Sequence, residues 1–311
     1  MKTLKTWMLA SMVVLSLASC NDDDDDNTTV PPAAGDIPTV ASADSQFSTL
    51  VAALTKAELV ATLKGAGPFT VFAPNNAAFT KTGITSLNNL SKEALTPILT
   101  SHVISGSVKA ADVKSGAVKT VNTSNDIYLS KNSNGVFING NIKVVATDVT
   151  ASNGLIHVID NVIVPPTKSL VQLAQADTNF SELVSLALVA DPAVITALSS
   201  ASSGLTVFAP TNAAFRELYK TTPKATLLAP ASKTLLTSVL LYHVLPNRVF
   251  STDLPNVTGP VATANTNSTL TFDLASQPKV VGKTSGASNI TAANILATNG
   301  VIHVIDKVLM P

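Results

Sequence analysis

The chain has 311 residues, of which 46% are hydrophobic and only 13% are charged, against a usual charged share of roughly 25% in soluble domains. This composition excludes a disordered chain, and 20 Lys plus Arg against 20 Asp plus Glu leave no basic excess for binding nucleic acid. The only long uncharged apolar run lies at the very start, which excludes a polytopic membrane protein, and the length favours two domains.

The N-terminal segment has the pattern of an export signal. Lys2 and Lys5 precede an apolar stretch over residues 7–17 that is too short to span a bilayer, as in a secretory signal peptide. The boundary LASC resembles the lipobox of bacterial lipoproteins, whose cysteine is lipidated and becomes the first mature residue. We therefore predict a signal peptide over residues 1–19 and a lipid anchor on Cys20, which would attach the protein to a membrane. An ordinary signal peptide with a chance cysteine is the alternative.

Residues 20–35 follow the signal as a predicted disordered tether, because they contain five consecutive aspartates and almost no large apolar residue. An acidic run directly after a lipidated cysteine also resembles the surface-export signal of lipoproteins in the Bacteroidetes group. That resemblance implies an outer-membrane lipoprotein exposed on the cell surface. The alternative is a solvated spacer on a periplasm-facing lipoprotein.

The remainder of the chain is an internal duplication. Residues 70–79 read TVFAPNNAAF and residues 206–215 read TVFAPTNAAF. A second pair reads NGLIHVIDNVIVP over residues 153–165 and NGVIHVIDKVLMP over residues 299–311. The blocks keep their order at a nearly constant offset, which indicates two whole domains in tandem, domain 1 over residues 36–166 and domain 2 over residues 167–311.

Each domain combines helical and strand patterns, so a mixed α+β fold is predicted. Phe47, Leu50, Val51 and Leu54 have the spacing of one helix face, and Asp44 or Ser45 stands where it can cap the first turn. Each TVFAP block predicts a strand that ends at proline and is followed by a short helix. Further helices are predicted at 93–100 and 233–242, and strands at 127–129, 136–138, 142–146, 155–164, 270–274 and 301–310. A twisted sheet with packed helices follows.

The repeated blocks resemble the conserved boxes of the fasciclin (FAS1) domain family. TVFAP-x-N-x-AF is similar to the first box, NG-x-IHVID-x-V-x-x-P to the second, and Tyr242-His243 to the Tyr-His motif between them. The resemblance covers residues 36–311. It implies two wedge-like β sandwiches with a helical layer and a role in adhesion between cells or to extracellular matrix. Domain 1 departs from the pattern with Ser101-His102.

Four histidines lie inside the repeated blocks, two in each domain: His102, His157, His243 and His303. On a strand, His157 and Asp160 point to opposite faces, so they form no dyad. Two histidines without cysteine also fall short of the four ligands of a structural zinc site. We therefore predict histidines that are buried or half-buried and bonded to backbone, with Asp160 and Asp306 as turn or cap acceptors, and we expect no metal and no cofactor.

Some animal fasciclin domains recognise integrins through an Asp-Ile motif just before the second box. The corresponding dipeptides here are Asp148-Val149 and Asn294-Ile295. Both are candidate interaction residues, together with Tyr242 and His243, although an integrin is not expected as the natural partner of a bacterial protein. The favoured interpretation is nevertheless that each dipeptide turns the chain into the last strand and places its apolar residue in the core, since Asp and Asn are common turn formers.

The sequence thus predicts a non-enzymatic, lipid-anchored adhesion or interaction protein of the cell surface, with an extracellular protein or polysaccharide as ligand. It contains no HExxH, GxSxG or P-loop motif and no thiol nucleophile in the domains. The alternative function is a binding module for a small apolar ligand or lipid in the cell envelope, which the aliphatic composition permits. An enzyme of unrecognised type would require distant His and Asp residues to converge in a cleft.

Overall fold

Both repeats fold through the same succession of elements, helices first and a sheet after them. A computed structural model describes residues 35–199, 204–266 and 268–311. The predicted signal peptide, Cys20 and all but the last residue of the predicted tether lie outside the described residues. Within the described residues, no helix has the length and apolar character needed to cross a membrane.

Domain 1 begins with three helices, and its strands follow them in the chain. Its elements in chain order are α1 (Ile37–Ala43), α2 (Ser48–Lys56), α3 (Val60–Leu63), β1 (Phe69–Pro74), α4 (Asn76–Lys81), α5 (Lys92–Thr100), β2 (Val103–Ser105), β3 (Gly116–Val118), β4 (Ile127–Asn132), β5 (Gly135–Ile138), β6 (Ile142–Ala151) and β7 (Gly154–Ile159).

Domain 2 repeats this order with one additional short helix, α10, before the helix that leads into β9. Its elements are α6 (Leu170–Ala176), α7 (Ser181–Val189), α8 (Pro192–Ser199), β8 (Leu205–Pro210), α9 (Asn212–Leu218), α10 (Lys224–Leu228), α11 (Lys233–Tyr242), β9 (Val244–Leu245), β10 (Val261–Ala262), β11 (Thr269–Asp273), β12 (Lys279–Gly282), β13 (Gly286–Ala297) and β14 (Gly300–Ile305).

The predicted amphipathic helix is present in both domains as α2 and α7, but a further helix, α1 or α6, precedes it, and the aspartate caps the 3-10 turn that leads into it. Leu50 and Leu54 of α2 are buried, and a 3-10 turn that includes Phe47 precedes the helix. The Asp44 carboxylate accepts the Gln46 backbone N–H at 3.0 Å, and Asp177 accepts the Asn179 N–H at 2.9 Å. Each aspartate satisfies a donor that the first turn leaves unpaired.

The two repeated sequence blocks lie side by side in each sheet, as its second and third strands. The strand order among the described residues is β2-β1-β7-β6-β5-β4-β3 in domain 1 and β9-β8-β14-β13-β12-β11-β10 in domain 2. The pairing is antiparallel except at β1 with β7 and β8 with β14, where Phe72 is opposite His157 and Phe208 is opposite His303. Because both strands of each parallel pair are almost wholly buried, they read as continuous apolar runs.

The last strand of each domain is shorter than its sequence predicts. The prediction for residues 155–164 overshoots, because β7 ends at Ile159, and β14 likewise ends at Ile305 rather than at residue 310. At these points Asp160 and Asp306 accept the backbone N–H groups of Lys143 and Asn289. The apolar residues beyond the turn still pack in the core without strand pairing, so their hydrophobicity mimics a longer strand.

Candidate interaction sites

The histidines that follow α5 and α11 are structural clamps with identical bonding. The Nδ1 of His102 lies 2.8 Å from the Ile98 carbonyl, and its Nε2 accepts the Ile163 N–H at 3.0 Å. His243 bonds in the same way to the Val239 carbonyl and the Leu309 N–H. Each ring therefore joins the end of a helix to the segment that follows the last strand.

The histidines of the last strands bond with their nitrogens in the opposite roles. His157 approaches the Val108 carbonyl through Nε2 at 2.8 Å, and its Nδ1 accepts the Asp148 N–H at 3.1 Å. The corresponding atoms of His303 contact the Val249 carbonyl and the Asn294 N–H. These two rings thus hold the backbone of both candidate dipeptides.

Burial keeps the imidazoles of His102, His243 and His303 uncharged. Desolvation lowers the pKa of His102, His243 and His303 to about 4, against the partial opposing effect of the hydrogen bond that each ring makes to a backbone carbonyl. At neutral pH each of these rings is one donor and one acceptor, and both functions are already used. In the described ranges no three His, Cys, Asp or Glu side chains come together as a possible metal site.

The Tyr-His motif of domain 2 lies inside the protein rather than on its surface. Tyr242 is fully buried, where its hydroxyl donates to the Thr269 carbonyl at 2.8 Å and accepts the Lys283 N–H at 2.9 Å. A direct contact of Tyr242 or His243 with a partner, which the sequence left open, is therefore incompatible with their burial. In domain 1 the smaller Ser101 is buried and bonds to Asn122 instead.

Asp160 and Asp306 act as acceptors at the ends of β7 and β14. Asp160 also pairs with Lys81 at 2.9 Å on the surface. Partial burial acts to raise the pKa of Asp306, but the hydrogen bonds that it accepts from Asn289 and Ser288 together outweigh burial and hold the pKa below its ordinary value. Neither carboxylate bonds to a histidine in the described hydrogen bonds.

The dipeptide Asp148-Val149 forms an exposed bulge in the middle of β6. The pairing of β6 with β7 shifts register between Ala146 and Val149, and Asp148 has a φ of 60°, which Asp tolerates better than most residues. Its carboxylate accepts the Ala110 N–H at 3.0 Å. Val149 is 38% exposed, so the expected turn with a buried apolar residue is wrong for this copy.

The dipeptide Asn294-Ile295 forms the same bulge in β13, but domain 1 covers it. Asn294 has a φ of 64° and is only 4% exposed. Its Oδ1 accepts the Ser251 N–H at 2.8 Å, which is the counterpart of the bond between Ala110 and Asp148. Its Nδ2 reaches across to the Gly140 carbonyl at 3.0 Å and to Asn141 Oδ1 at 2.9 Å. The second candidate dipeptide is therefore part of the joint between the domains.

An aromatic and cationic stack completes this joint. The Arg248 guanidinium lies over the Tyr128 ring at 4.3 Å, and the Tyr128 and Phe250 rings are 5.8 Å apart. Arg248 also donates to the Ala297 and Gly300 carbonyls. The side-chain amides of Asn132 and Asn256 extend the contact, because they donate hydrogen bonds to the Thr252 and Lys131 carbonyls. Sequence reasoning missed these residues, although Arg248 is one of only two arginines in the chain.

The chain belongs to the fasciclin domain family, whose sequence model matches residues 45–165 and 178–311. The resemblance and the tandem α+β architecture predicted from the sequence are thereby confirmed. Over 134 residues, 42% of this chain and 73% of the relative, it is 43% identical to protein sll1483 of Synechocystis sp.. It is 28% identical to human periostin over 257 residues, which are 80% of this chain but only 29% of periostin.

A solved FAS1 domain pair from the insect cell adhesion molecule Fasciclin I is also similar. It is 18% identical, with a TM-score of 0.44, and the match covers 86% of this chain and 97% of that one.

Proposed function

We propose that this protein is a non-enzymatic adhesion or interaction protein, held at the outer membrane by a lipid on Cys20 and displayed on the cell surface. The observation that carries the proposal is the open bulge of domain 1 at Asp148-Val149. The fasciclin family model matches both domains, and the resemblance to that family implies a role in adhesion. An extracellular protein or a polysaccharide is the proposed ligand.

The bulge is suited to contact because it combines apolar side chains, a charge and an open strand edge. Val145 and Val149 are 51% and 38% exposed, although most valines of the sheet are buried. The pairing of β5 with β6 ends at Lys143, so the segment from Val145 to Thr150 has no strand partner on that side among the described residues. Exposed apolar residues beside one acid and unpaired backbone are typical of a protein contact surface.

Asp148→Asn is the variant that tests this bulge. Asparagine also tolerates the left-handed backbone and keeps an oxygen for the Ala110 N–H, so only the charge is lost. Binding of wild type and variant is measured on a glycan array and on immobilised extracellular matrix proteins. We expect several-fold weaker binding by Asp148→Asn with an unchanged melting temperature.

The matched control for the loss of one surface charge is Glu217→Gln in domain 2, which should bind like the wild type. Equal binding by Asp148→Asn and wild type would remove the bulge from the contact. A large fall in the melting temperature of Asp148→Asn would show that the residue is structural.

The proposed anchor is tested separately in the native cell. Cys20→Ala should release the protein from the membrane fraction, because the mature chain would lack its acyl groups. Protease added to intact cells should remove the domains if they face outward. Protection until the cells are lysed would assign the protein to the periplasmic face instead.

A second candidate function is the binding of a small apolar ligand or lipid. It is favoured by an apolar cavity within domain 2 that lies between α6, α7, α8, α11 and the sheet. Such a cavity does not conflict with adhesion, because it is formed by residues other than the exposed bulge of domain 1.

A further inference from the structure

The hydrophobic core between the helices and the sheet forms one cluster in domain 1 and two clusters in domain 2. In domain 1 one cluster joins Leu54 of α2 to Val71 of β1 and Ile156 of β7. In domain 2 the buried residues of α7 and α11 form one cluster, whereas those of β8 and β14 form another with α6. Among the described residues, only the partly buried Leu183 and Leu198 pack against both.

Two adjacent exchanges in the repeated sequence accompany the division. The helix residues of the repeats align at an offset of 133, which places Ala187 where domain 1 has Leu54 and Leu186 where it has Ala53. All four are buried, so the leucine moves by one position along the helix, and the position of Leu54 has three heavy atoms fewer in domain 2. Leu183 is also only half-buried, whereas its counterpart Leu50 is buried.

The space left open is an apolar chamber of about 60 Å³. Its lining reaches from the rim residues Val171 and Leu188 to Phe208 and Ile302 on the sheet. The polar residues of the lining are Gln175, which is exposed at the rim, and His243, both of whose ring nitrogens already bond to backbone. A chamber whose buried wall has no available polar atom stays dry and accepts apolar guests.

We propose that this chamber binds the end of an unbranched alkyl chain, such as that of a fatty acid or an acyl lipid. An engineered cavity of about 150 Å³ binds benzene, so a chamber of about 60 Å³ admits a slender chain but not a ring. Leu188 is 66% exposed at the rim and continues the apolar surface outward for the rest of the chain. The inference rests on the second candidate function and is independent of Asp148.

The corresponding cavity of domain 1 is lined by different elements. It is about 80 Å³ and is lined by Leu54, Leu63 and Leu99 together with Thr62 and Thr100, and its lining includes no residue of β7. Phe69 of β1 and Val103 of β2 also line it, and Leu54 packs in one buried cluster with Val71 and Ile156. Ala187→Leu therefore gives α7 the leucine that domain 1 has at this position.

The test uses the full chain with Cys20→Ser, which removes the acyl groups of the proposed anchor from the measurement. The probe is cis-parinaric acid, a fluorescent fatty acid with an unbranched chain. We expect saturable binding at one site per chain. Displacement by palmitate assigns the chamber to a free fatty acid, whereas displacement only by phosphatidylcholine vesicles assigns it to a membrane lipid. No displacement by either overturns the proposal.

Two filling variants and one control make the result specific. Ala187→Leu should weaken probe binding at least tenfold without lowering the melting temperature, because the new side chain occupies existing space. Ala174→Leu fills the same chamber from α6, and it is the variant measured if Ala187→Leu does not fold. Ala52→Leu adds the same group to an exposed position of α2 and should bind like the wild type.

Unchanged binding by both filling variants overturns the proposal. The same variants should keep their attachment to glycans or matrix proteins, so a failure of this site is distinguishable from a failure of the adhesion function.

Discussion

Asn294→Asp places the domain 1 residue into the domain 2 bulge and tests the joint between the domains. The carboxylate keeps the acceptor for the Ser251 N–H and can accept from the Ser251 hydroxyl, but it loses the donor that reaches the Gly140 carbonyl at 3.0 Å and faces that oxygen with a negative charge. A hydrogen bond contributes about 1 kcal/mol net, and an uncompensated buried charge costs more. At 4% exposure water cannot replace the lost partner. We expect the free energy of unfolding to fall by about 2–4 kcal/mol at pH 7.

The pH dependence of this loss distinguishes a charge effect from a packing effect. Burial beside a carbonyl raises the pKa of the new carboxyl above its unfolded value of about 3.9. The variant's penalty is therefore absent below the unfolded pKa, where a protonated carboxyl can donate to Gly140, and it grows as the pH rises through the folded pKa. The difference from wild type should be clearly smaller at pH 4.5 than at pH 7.

Urea unfolding followed by circular dichroism measures both quantities. The mirror exchange, Asp148→Asn, is the matched control and should change stability by less than about 0.5 kcal/mol, because that bulge is exposed. Equal stability of Asn294→Asp and wild type at pH 7 would refute the reasoning. A penalty that does not change with pH would show that shape rather than charge is the cause.

Three further predictions concern the same joint and the buried rings. Gly140→Ala should lower the free energy of unfolding by at least about 2 kcal/mol more than Gly259→Ala. The two glycines have similar φ values, +73° and +79°, but of the two only a Cβ at Gly140 would meet another residue, Asn294 Cγ at 2.6 Å. Arg248→Lys should lower the free energy of unfolding in urea by about 1–2 kcal/mol. An ammonium group replaces neither the hydrogen bonds to the Ala297 and Gly300 carbonyls nor the stacking of the guanidinium on Tyr128. The three histidines with lowered pKa bind protons in the unfolded chain before the folded one, so stability should fall as the pH drops from about 6.5 towards 4. Proton NMR should show their rings neutral at pH 5.5.

Each of these has a result that would count against it. Equal effects of the two glycine variants would mean that Asn294 and its neighbours move aside at no cost. An Arg248→Lys variant as stable as wild type would make the stack energetically neutral. Histidine resonances that titrate near pH 6.5 would show that the rings are exposed to water.

The sequence predicted the elements well where the signal is local. The helix at 233–242 agrees with α11 to the residue, and the TVFAP strands end at their prolines as predicted. The last strands were overestimated because Val162 and Ile163 are apolar for core packing rather than for pairing. The bulges were taken for turns, since a positive φ at Asp or Asn is compatible with both and local patterns do not contain the register of the neighbouring strand.

The joint between the domains could not be predicted in the same way. Its hydrogen bonds connect residues that are more than 100 positions apart, such as Asn132 with Thr252 and Asn141 with Asn294. Periodicity shows which face of an element is buried against its own domain, but it does not show which surfaces of two domains meet. The one local signal was the exchange of Asp for Asn between the two copies of the dipeptide.

That exchange explains why two equivalent bulges have different uses. Both keep a positive φ, a backbone N–H bonded to a histidine, and a side-chain oxygen that accepts a backbone N–H from the preceding loop. Only the amide of Asn294 can also donate, and its donors meet the Gly140 carbonyl, Asn141 and the Ser251 hydroxyl. An aspartate there would be a buried charge without a cation, facing the Gly140 carbonyl, whereas at residue 148 water solvates it. The side-chain amide of Asn294 thus makes the bulge of domain 2 part of the joint between the domains. The acidic bulge of domain 1 stays exposed, so the proposed contact through it is available once per chain.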